Sequence, residues 1–336
     1  MSIRTLRLSR TNLLESGAIV WLAVLVLLIV AALQSSDFRS IDNLSNLTRQ
    51  FSVLGLASLA QFLVVVSGGV DLSIAANIRL SAIIAAMVMD GSNDRLVLGI
   101  AAGIGVGVGV GVINSLIITR LRVEPFIATL GTGALLSGLA LFLASTPKGR
   151  SSPGLDSFYG WEIGPLYATF ILVVIVWLCA AYAVDRTPWG RHLYAVGGDE
   201  SVSRISGIRV MRVKSSAYII GGLIGGIAGI VTLASAGVGD SALATGLEFD
   251  SLAVVVIGGT SLAGGRGRLL GVVGGVILFS LLGNVFNLLH VDIWYQQLVR
   301  GLIILIAAGA LVDQQGRRIG RRKQQNRAAP QLERMS

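Results

Sequence analysis

The chain has 336 residues, of which 53% are hydrophobic and 13% charged, with a mean hydropathy of +0.76. A soluble domain needs a polar surface that this composition cannot supply, so the solvent for most of the chain is lipid. The single cysteine, Cys179, excludes an intrachain disulfide and a cysteine-based metal cluster, and the formal charge of +9 matters less as a sum than in how it is divided between loops.

Residues 1–16 form a basic N-terminal segment. Apolar runs of roughly membrane-spanning length, about 20 residues or somewhat fewer, then follow at Gly17–Leu33, Phe51–Ser67, Ile74–Met89, Leu96–Thr119, Phe126–Ser145, Pro165–Val184, Ser215–Ala236, Phe249–Ala263, Leu269–Leu289 and Gln296–Val312. The first is a retained span, because Leu33-Gln34-Ser35-Ser36-Asp37 lacks a convincing cleavage site for a signal peptide. An even number of spans puts both termini on one side. Loops on that side carry 20 Lys and Arg, against 5 on the other, which places both termini in the cytoplasm. The spacing predicts an all-α polytopic bundle of about ten spans over residues 17–313, a cytoplasmic loop at 185–214, and a basic tail at 314–336 that lies against the membrane surface. Basic residues sorted in this way report topology and contact with lipid, not binding to nucleic acid.

Two stretches depart from plain spanning helices. Ser67-Gly68-Gly69-Val70-Asp71-Leu72-Ser73 sets two glycines, a carboxylate and a hydroxyl between apolar runs, and irregular backbone at membrane depth needs protein or a wet cavity around it. Asp71 there either caps the following helix at Ser73 and Ile74 or lines a solute path, and the two roles are compatible. Ser73, Asn77 and Arg79 extend the candidate path. Arg79 is a guanidinium within a span, so it is either wet or paired with a carboxylate such as Asp71 or Asp250. The other departure is Phe249–Ala263, too short to cross perpendicular and followed by Gly264-Gly265-Arg266-Gly267, which reads as a re-entrant or tilted element.

The ladder Gly103, Gly105, Gly107, Gly109, Gly111 superficially matches a nucleotide-binding glycine pattern. No strand is expected before it and no acidic residue follows at the required distance, so all five are read as surfaces for close helix packing. No phosphate-cradling GxxxxGK[ST] string occurs. His192 and His290 are about a hundred residues apart and have no clustered partners. Neither a cofactor, a metal site nor an enzymatic centre is therefore expected.

Within 185–214, Gly197-Gly198 reads as a turn, Asp199 as the cap of one short amphipathic helix, Glu200 as favoured at its positive end, and Gly207 as its left-handed stop. Val202, Ile205 and Ile208 recur at spacings of three. Such a helix either docks in the groove of a partner or lies on the lipid interface, where Arg204, Arg209 and Arg212 would help.

The strings GGVDLS (Gly68–Ser73), RVEPFIATLGT (Arg122–Thr132), GRHLYAVGGDESVSRISGI (Gly190–Ile208), VVIGGTSLAGGRGRLLG (Val255–Gly271) and QQLVRGLIIL (Gln296–Leu305) resemble, in order and spacing, the ribose/xylose/arabinose/galactoside ABC permease family. The resemblance covers nearly the whole chain from Gly17 to Asp313. It implies the membrane subunit of an importer for a monosaccharide or related polyol in a bacterial inner membrane. It also implies three protein partners: a cytoplasmic ATP-binding subunit that hydrolyses ATP, a periplasmic solute-binding protein and a second permease subunit. By resemblance, Gly190, Arg191, Gly197, Gly198, Asp199, Glu200, Arg204 and Gly207 belong to the coupling contact with the ATP-binding subunit. Where this chain has Arg79 and Asn77, the family usually has an apolar and a small residue. A branched-chain amino acid permease shares distant architecture, but GGVDLS and GGDESVSRISGI fit the sugar group better. An ion-coupled carrier would need more intramembrane carboxylates or histidines than this chain carries.

Overall fold

The computed structural model describes residues 18–303 and Leu305, which fall into two compact units separated after His290. The first contains α1 (Ala18–Gln34), α2 (Ile41–Val66), α3 (Ile74–Met89), α4 (Leu96–Thr119), α5 (Pro125–Leu143), α6 (Pro153–Gly160), α7 (Ala168–Arg186), α8 (Pro188–Gly198), α9 (Glu200–Ile205), α10 (Val210–Ala236), α11 (Leu247–Ile257) and α12 (Leu269–Leu288). Two short antiparallel ladders accompany them: β1 (Lys148–Arg150) with β4 (Val238–Gly239), and β2 (Glu162–Ile163) with β3 (Leu166–Tyr167). Residues 293–303 of the second unit are helical. The remainder of the run predicted at Gln296–Val312, the N-terminal segment and the tail lie outside the described residues.

Local chemistry sets the helix ends. Ser40 caps α2 by accepting from the Asn43 N–H, and Glu124 caps α5 ahead of Pro125, whose missing donor is harmless in a first turn. Asp90 in the left-handed region ends α3, and Gly237 at φ 73° ends α10.

α10 packs against α2, α3 and α4, and α3 is buried along nearly its whole length. The apolar stretches of α2, α10 and α12 are 72%, 67% and 61% buried, against 28%, 28% and 22% for α4, α5 and α7. The first three are therefore core, and the last three turn apolar side chains outward, as a lipid-facing layer must. Among the described residues, six helices are long and apolar enough to cross a membrane, namely α2, α4 with the turn before it, α5, α7, α10 and α12. With 16 residues, α3 rises roughly 24 Å, short of a hydrocarbon core of about 30 Å.

Three sequence expectations need correction. α2 begins at Ile41, well before Phe51, because Ser40 caps it and buried hydroxyls in its first turns bond to the helix's own backbone. Thr48 Oγ1 donates to Ser45 O at 2.8 Å and Ser52 Oγ to Thr48 O at 3.0 Å. The run Phe249–Ala263 is helical only as far as Ile257. It then turns at Gly258, whose carbonyl oxygen lies 2.0 Å from where a Cβ on Gly271 would sit, so the chain passes α12 backbone to backbone. Finally, only alternate members of the glycine ladder pack within the chain. A Cβ on Gly103, Gly107 or Gly111 would run into α3 or the α10 backbone, while Gly105 and Gly109 have nothing within 4 Å. The packing members are four residues apart and share a helix face; the other two lie on another face.

Candidate functional site

The break after α2 is held by an internal polar network. Asp71 is buried, and its Oδ1 accepts from Ser73 N at 2.8 Å and Ser73 Oγ at 2.6 Å. Ser73 Oγ in turn accepts from Asn114 Nδ2 of α4 at 2.8 Å. Thr129 of α5 bridges the segment, receiving Leu72 N at 3.1 Å and donating to Val70 O at 3.2 Å, and Tyr218 Oη of α10 donates to the same carbonyl at 3.3 Å. Unwound backbone at this depth is thus met by side chains from three neighbouring helices, as the low-dielectric setting demands.

The four candidate path residues are not brought together. Asp71 and Ser73 form one cluster with Asn114. Asn77 is buried on another part of α3, donating to Gly222 O at 3.4 Å and accepting from Ser81 Oγ at 3.3 Å. Arg79 is half-buried and donates to Leu243 O at 2.8 Å, Thr245 Oγ1 at 3.2 Å and Ser137 Oγ at 3.3 Å. These three acceptors are neutral groups on α5 and on the segment between β4 and α11, while Asp71 bonds within its own network with Ser73.

The loop at 185–214 holds two helices in place of the single one expected. Thr187 and Pro188 start α8, which runs through Gly197 and ends at Gly198. Asp199, extended at φ −164°, breaks the helix and caps α9, accepting at Oδ1 from Ser201 N, Ser201 Oγ and Val202 N at 2.9, 2.6 and 3.1 Å. Those bonds, the one from the Ser201 hydroxyl foremost and then that from the Val202 amide, hold the Asp199 carboxyl below the usual carboxylate range. Glu200 pairs with Lys214, and Gly207 sits at φ 81°. Arg191, Arg204 and Ile205 are exposed, Ile205 at 89%. α8 is anchored by the buried Leu193 and Val196, by Trp189 Nε1 donating to Ser216 Oγ at 2.7 Å, and by Tyr194 Oη donating to Gly267 O at 3.0 Å. Burial, then the charge of Asp185, pushes the Tyr194 hydroxyl up to about 12. It therefore stays a donor at neutral pH.

The end of α8 meets two other double glycines, a contact the sequence reading missed. A Cβ on Gly197 would lie 1.9 Å from Val66 O and 2.6 Å from Gly265 N, one on Gly264 would lie 2.7 Å from Gly68 Cα, and one on Gly265 would lie 2.4 Å from Gly198 Cα. Gly265 N donates to Val66 O at 2.9 Å. Gly68-Gly69, Gly197-Gly198 and Gly264-Gly265 thus form a joint of bare backbone linking the break, the end of α8 and the segment after α11. The available signal was the recurrence of a glycine pair at the end of each of these three segments.

Residues 43–308 match the family model described as branched-chain amino acid transport system / permease component. The chain is 38% identical over 294 residues to the ribose import permease protein RbsC of Bacillus subtilis, covering 85% of this chain and 90% of that one. It is 34% identical over 298 residues to the RbsC of Escherichia coli, covering 87% and 92%. Against the D-allose transport system permease protein AlsC of Escherichia coli it is 31% identical over 292 residues, covering 85% and 88%. No solved structure matches the chain.

Proposed function

We propose that this chain, which belongs to the ABC-transporter permease family of the branched-chain amino acid transport type, carries a monosaccharide or closely related polyol through the membrane in an ATP-driven importer. Support for the solute class comes from relatives named for ribose and D-allose along 85% or more of this chain. The chain does no bond chemistry in this scheme. ATP is hydrolysed by a separate cytoplasmic subunit, a solute-binding protein delivers from the periplasm, and a second permease subunit completes the path.

The observation that carries the mechanism is the glycine joint. α8 and α9 form the surface for the ATP-binding subunit, with Gly190, Arg191, Gly197, Gly198, Asp199, Glu200, Arg204 and Gly207 in or beside it. α9 is short, capped and exposed, and an isolated helix of that length needs a partner to be worth forming. Movement imposed on α8 reaches the break through contacts between backbones, which cannot absorb it by rotating a side chain. Asp71, Ser73 and Asn77 brace the helices that must move, and Arg79 ties α3 to the segment entering α11. Both termini are cytoplasmic, on the side of α8 and α9, where the excess of Lys and Arg lies.

Co-purification with the ATP-binding subunit tests the surface. Glu200→Lys sets two lysines against each other in place of the pair with Lys214, and Gly207→Val puts a β-branched residue at positive φ. Both variants should insert normally and lose the ATP-binding subunit together with uptake. Normal association and uptake in both would refute the docking assignment.

A further inference from the structure

On the outward side of the first unit, α2, α7 and α12 leave a cleft of about 670 Å3 between them, within the range of roughly 300–1,000 Å3 usual for small-molecule sites. Over most of its length the wall is hydrocarbon. Phe51 and Phe170 close one end, their ring centres 6.2 Å apart. Trp177 is the one side chain of this stretch with a polar atom, and its Nε1 is taken up by Gly55 O at 3.2 Å. Leu178 and Leu270 in the wall are 65% and 72% exposed, so the cleft is open along its side to whatever surrounds the bundle.

The other end is polar. Asp185, in the last turn of α7, and Arg268, just before α12, both line the cleft and are both exposed. Their charges act with opposite sign on the Tyr194 hydroxyl, which is fixed at this mouth by its bond to Gly267 O at 3.0 Å. Among the described residues, no hydrogen bond or ion pair ties up either charged group. Along α7, the face from Asp185 back to Phe170 rises roughly 22 Å, more than half of a hydrocarbon core of about 30 Å. A hydrocarbon chain rooted at the polar mouth therefore runs the depth of one leaflet inside the cleft.

An occupant must be apolar along its length and carry separated charges of both signs at one end. A monosaccharide fails the first condition and a fatty acid the second. Basic pockets between membrane helices ordinarily suit anionic headgroups, but here such a headgroup would meet Arg268 and set its charge against Asp185. A choline headgroup has no N–H to give to that carboxylate. Phosphatidylethanolamine meets both groups, its phosphate accepting from the Arg268 guanidinium and its primary ammonium donating to Asp185. We infer that this cleft is a binding site for a phospholipid with a primary-ammonium headgroup, of the phosphatidylethanolamine type, drawn from the leaflet on the α8–α9 side, with one acyl chain lying between α7 and α12. The inference needs only a chain embedded in a membrane, and does not depend on the importer function proposed above.

Native mass spectrometry of the full-length permease, stripped of lipid and then titrated with phosphatidylethanolamine, phosphatidylcholine or phosphatidylglycerol of identical acyl chains, tests it. The wild type should bind phosphatidylethanolamine about tenfold more tightly than either of the others, the worth of one hydrogen bond to a charged group. Asp185→Asn should weaken phosphatidylethanolamine by about tenfold and strengthen phosphatidylglycerol, a reversal that misfolding cannot produce. Arg268→Gln should weaken both lipids. Val174→Trp, at a position 39% exposed in the cleft wall, should fill the cleft and weaken all three. Both charged residues are exposed, so their variants give a result even if Val174→Trp fails to fold. Equal binding of the three lipids by the wild type, a preference for phosphatidylglycerol, or a preference for phosphatidylethanolamine that survives both Asp185→Asn and Arg268→Gln would overturn the assignment. A cleft sealed by a second copy of the permease would show as wild-type binding no stronger than that of Val174→Trp, and that result would overturn it too.

Discussion

Replacing Gly197 by alanine puts a methyl carbon 1.9 Å from the Val66 carbonyl oxygen and 2.6 Å from the Gly265 nitrogen, between the partners of a backbone hydrogen bond. Neither neighbour is a side chain that can swing away. To restore contact at about 3.4 Å, α8 must withdraw by roughly 1.5 Å, and overpacking of this kind costs about 1–3 kcal/mol. If that strain is relieved in the arrangement with α8 withdrawn, the balance between arrangements shifts by roughly 5- to 150-fold. Gly198→Ala is the matched control: it is the next residue, also at the end of α8, and its added carbon meets nothing within 4 Å. Thermal unfolding of the purified permease and uptake with its ATP-binding subunit should separate the two. Gly197→Ala should melt lower, by about 2–4 °C per kcal/mol, and lose most uptake, while Gly198→Ala stays close to wild type. Equal behaviour of the two in both assays would refute the joint as the link between α8 and the break.

The same logic applies to α4. Gly107→Ala places a carbon 2.5 Å from Gly222 O and should destabilise the bundle, whereas Gly109→Ala meets nothing and should be neutral or raise stability by up to about 1 kcal/mol through helix propensity; melting of the two variants side by side checks this. Arg79→Leu should lower stability by freeing the segment around Leu243 and Thr245, and because Asp71 sits in a separate network, adding Asp71→Asn should be additive within about 0.5 kcal/mol. Rescue of Arg79→Leu by Asp71→Asn would instead reveal an ion pair.

Helices bounded by sharp composition changes were legible to the residue. Ile74–Met89 and Leu96–Thr119 are α3 and α4 as read, since glycine, serine and charged residues flank each apolar run. The cap at Asp199 and the left-handed Gly207 were legible for the same reason, because both roles are decided by neighbours in sequence. What failed to show was anything settled by a distant segment. Asn43 looks like loop material until Asn284, 241 positions away, is placed beside it. Gly197-Gly198 looks like a turn until Val66 and Gly265 are seen to need its bare backbone. Arg79 invited pairing with a carboxylate because charge is visible in a sequence, whereas a carbonyl such as Leu243 O is not.

Uptake into proteoliposomes tests most directly whether transport is driven by ATP through contact with a separate subunit. The permease is reconstituted with its ATP-binding subunit, solute-binding protein and radiolabelled D-ribose or D-allose, with ATP supplied on the α8–α9 side and ionophores present to remove ion gradients. Uptake of one of the two sugars should require ATP, survive the ionophores and stop when the ATP-binding subunit is omitted. Uptake that persists without that subunit and collapses with the ionophores would identify an ion-coupled carrier and contradict the account.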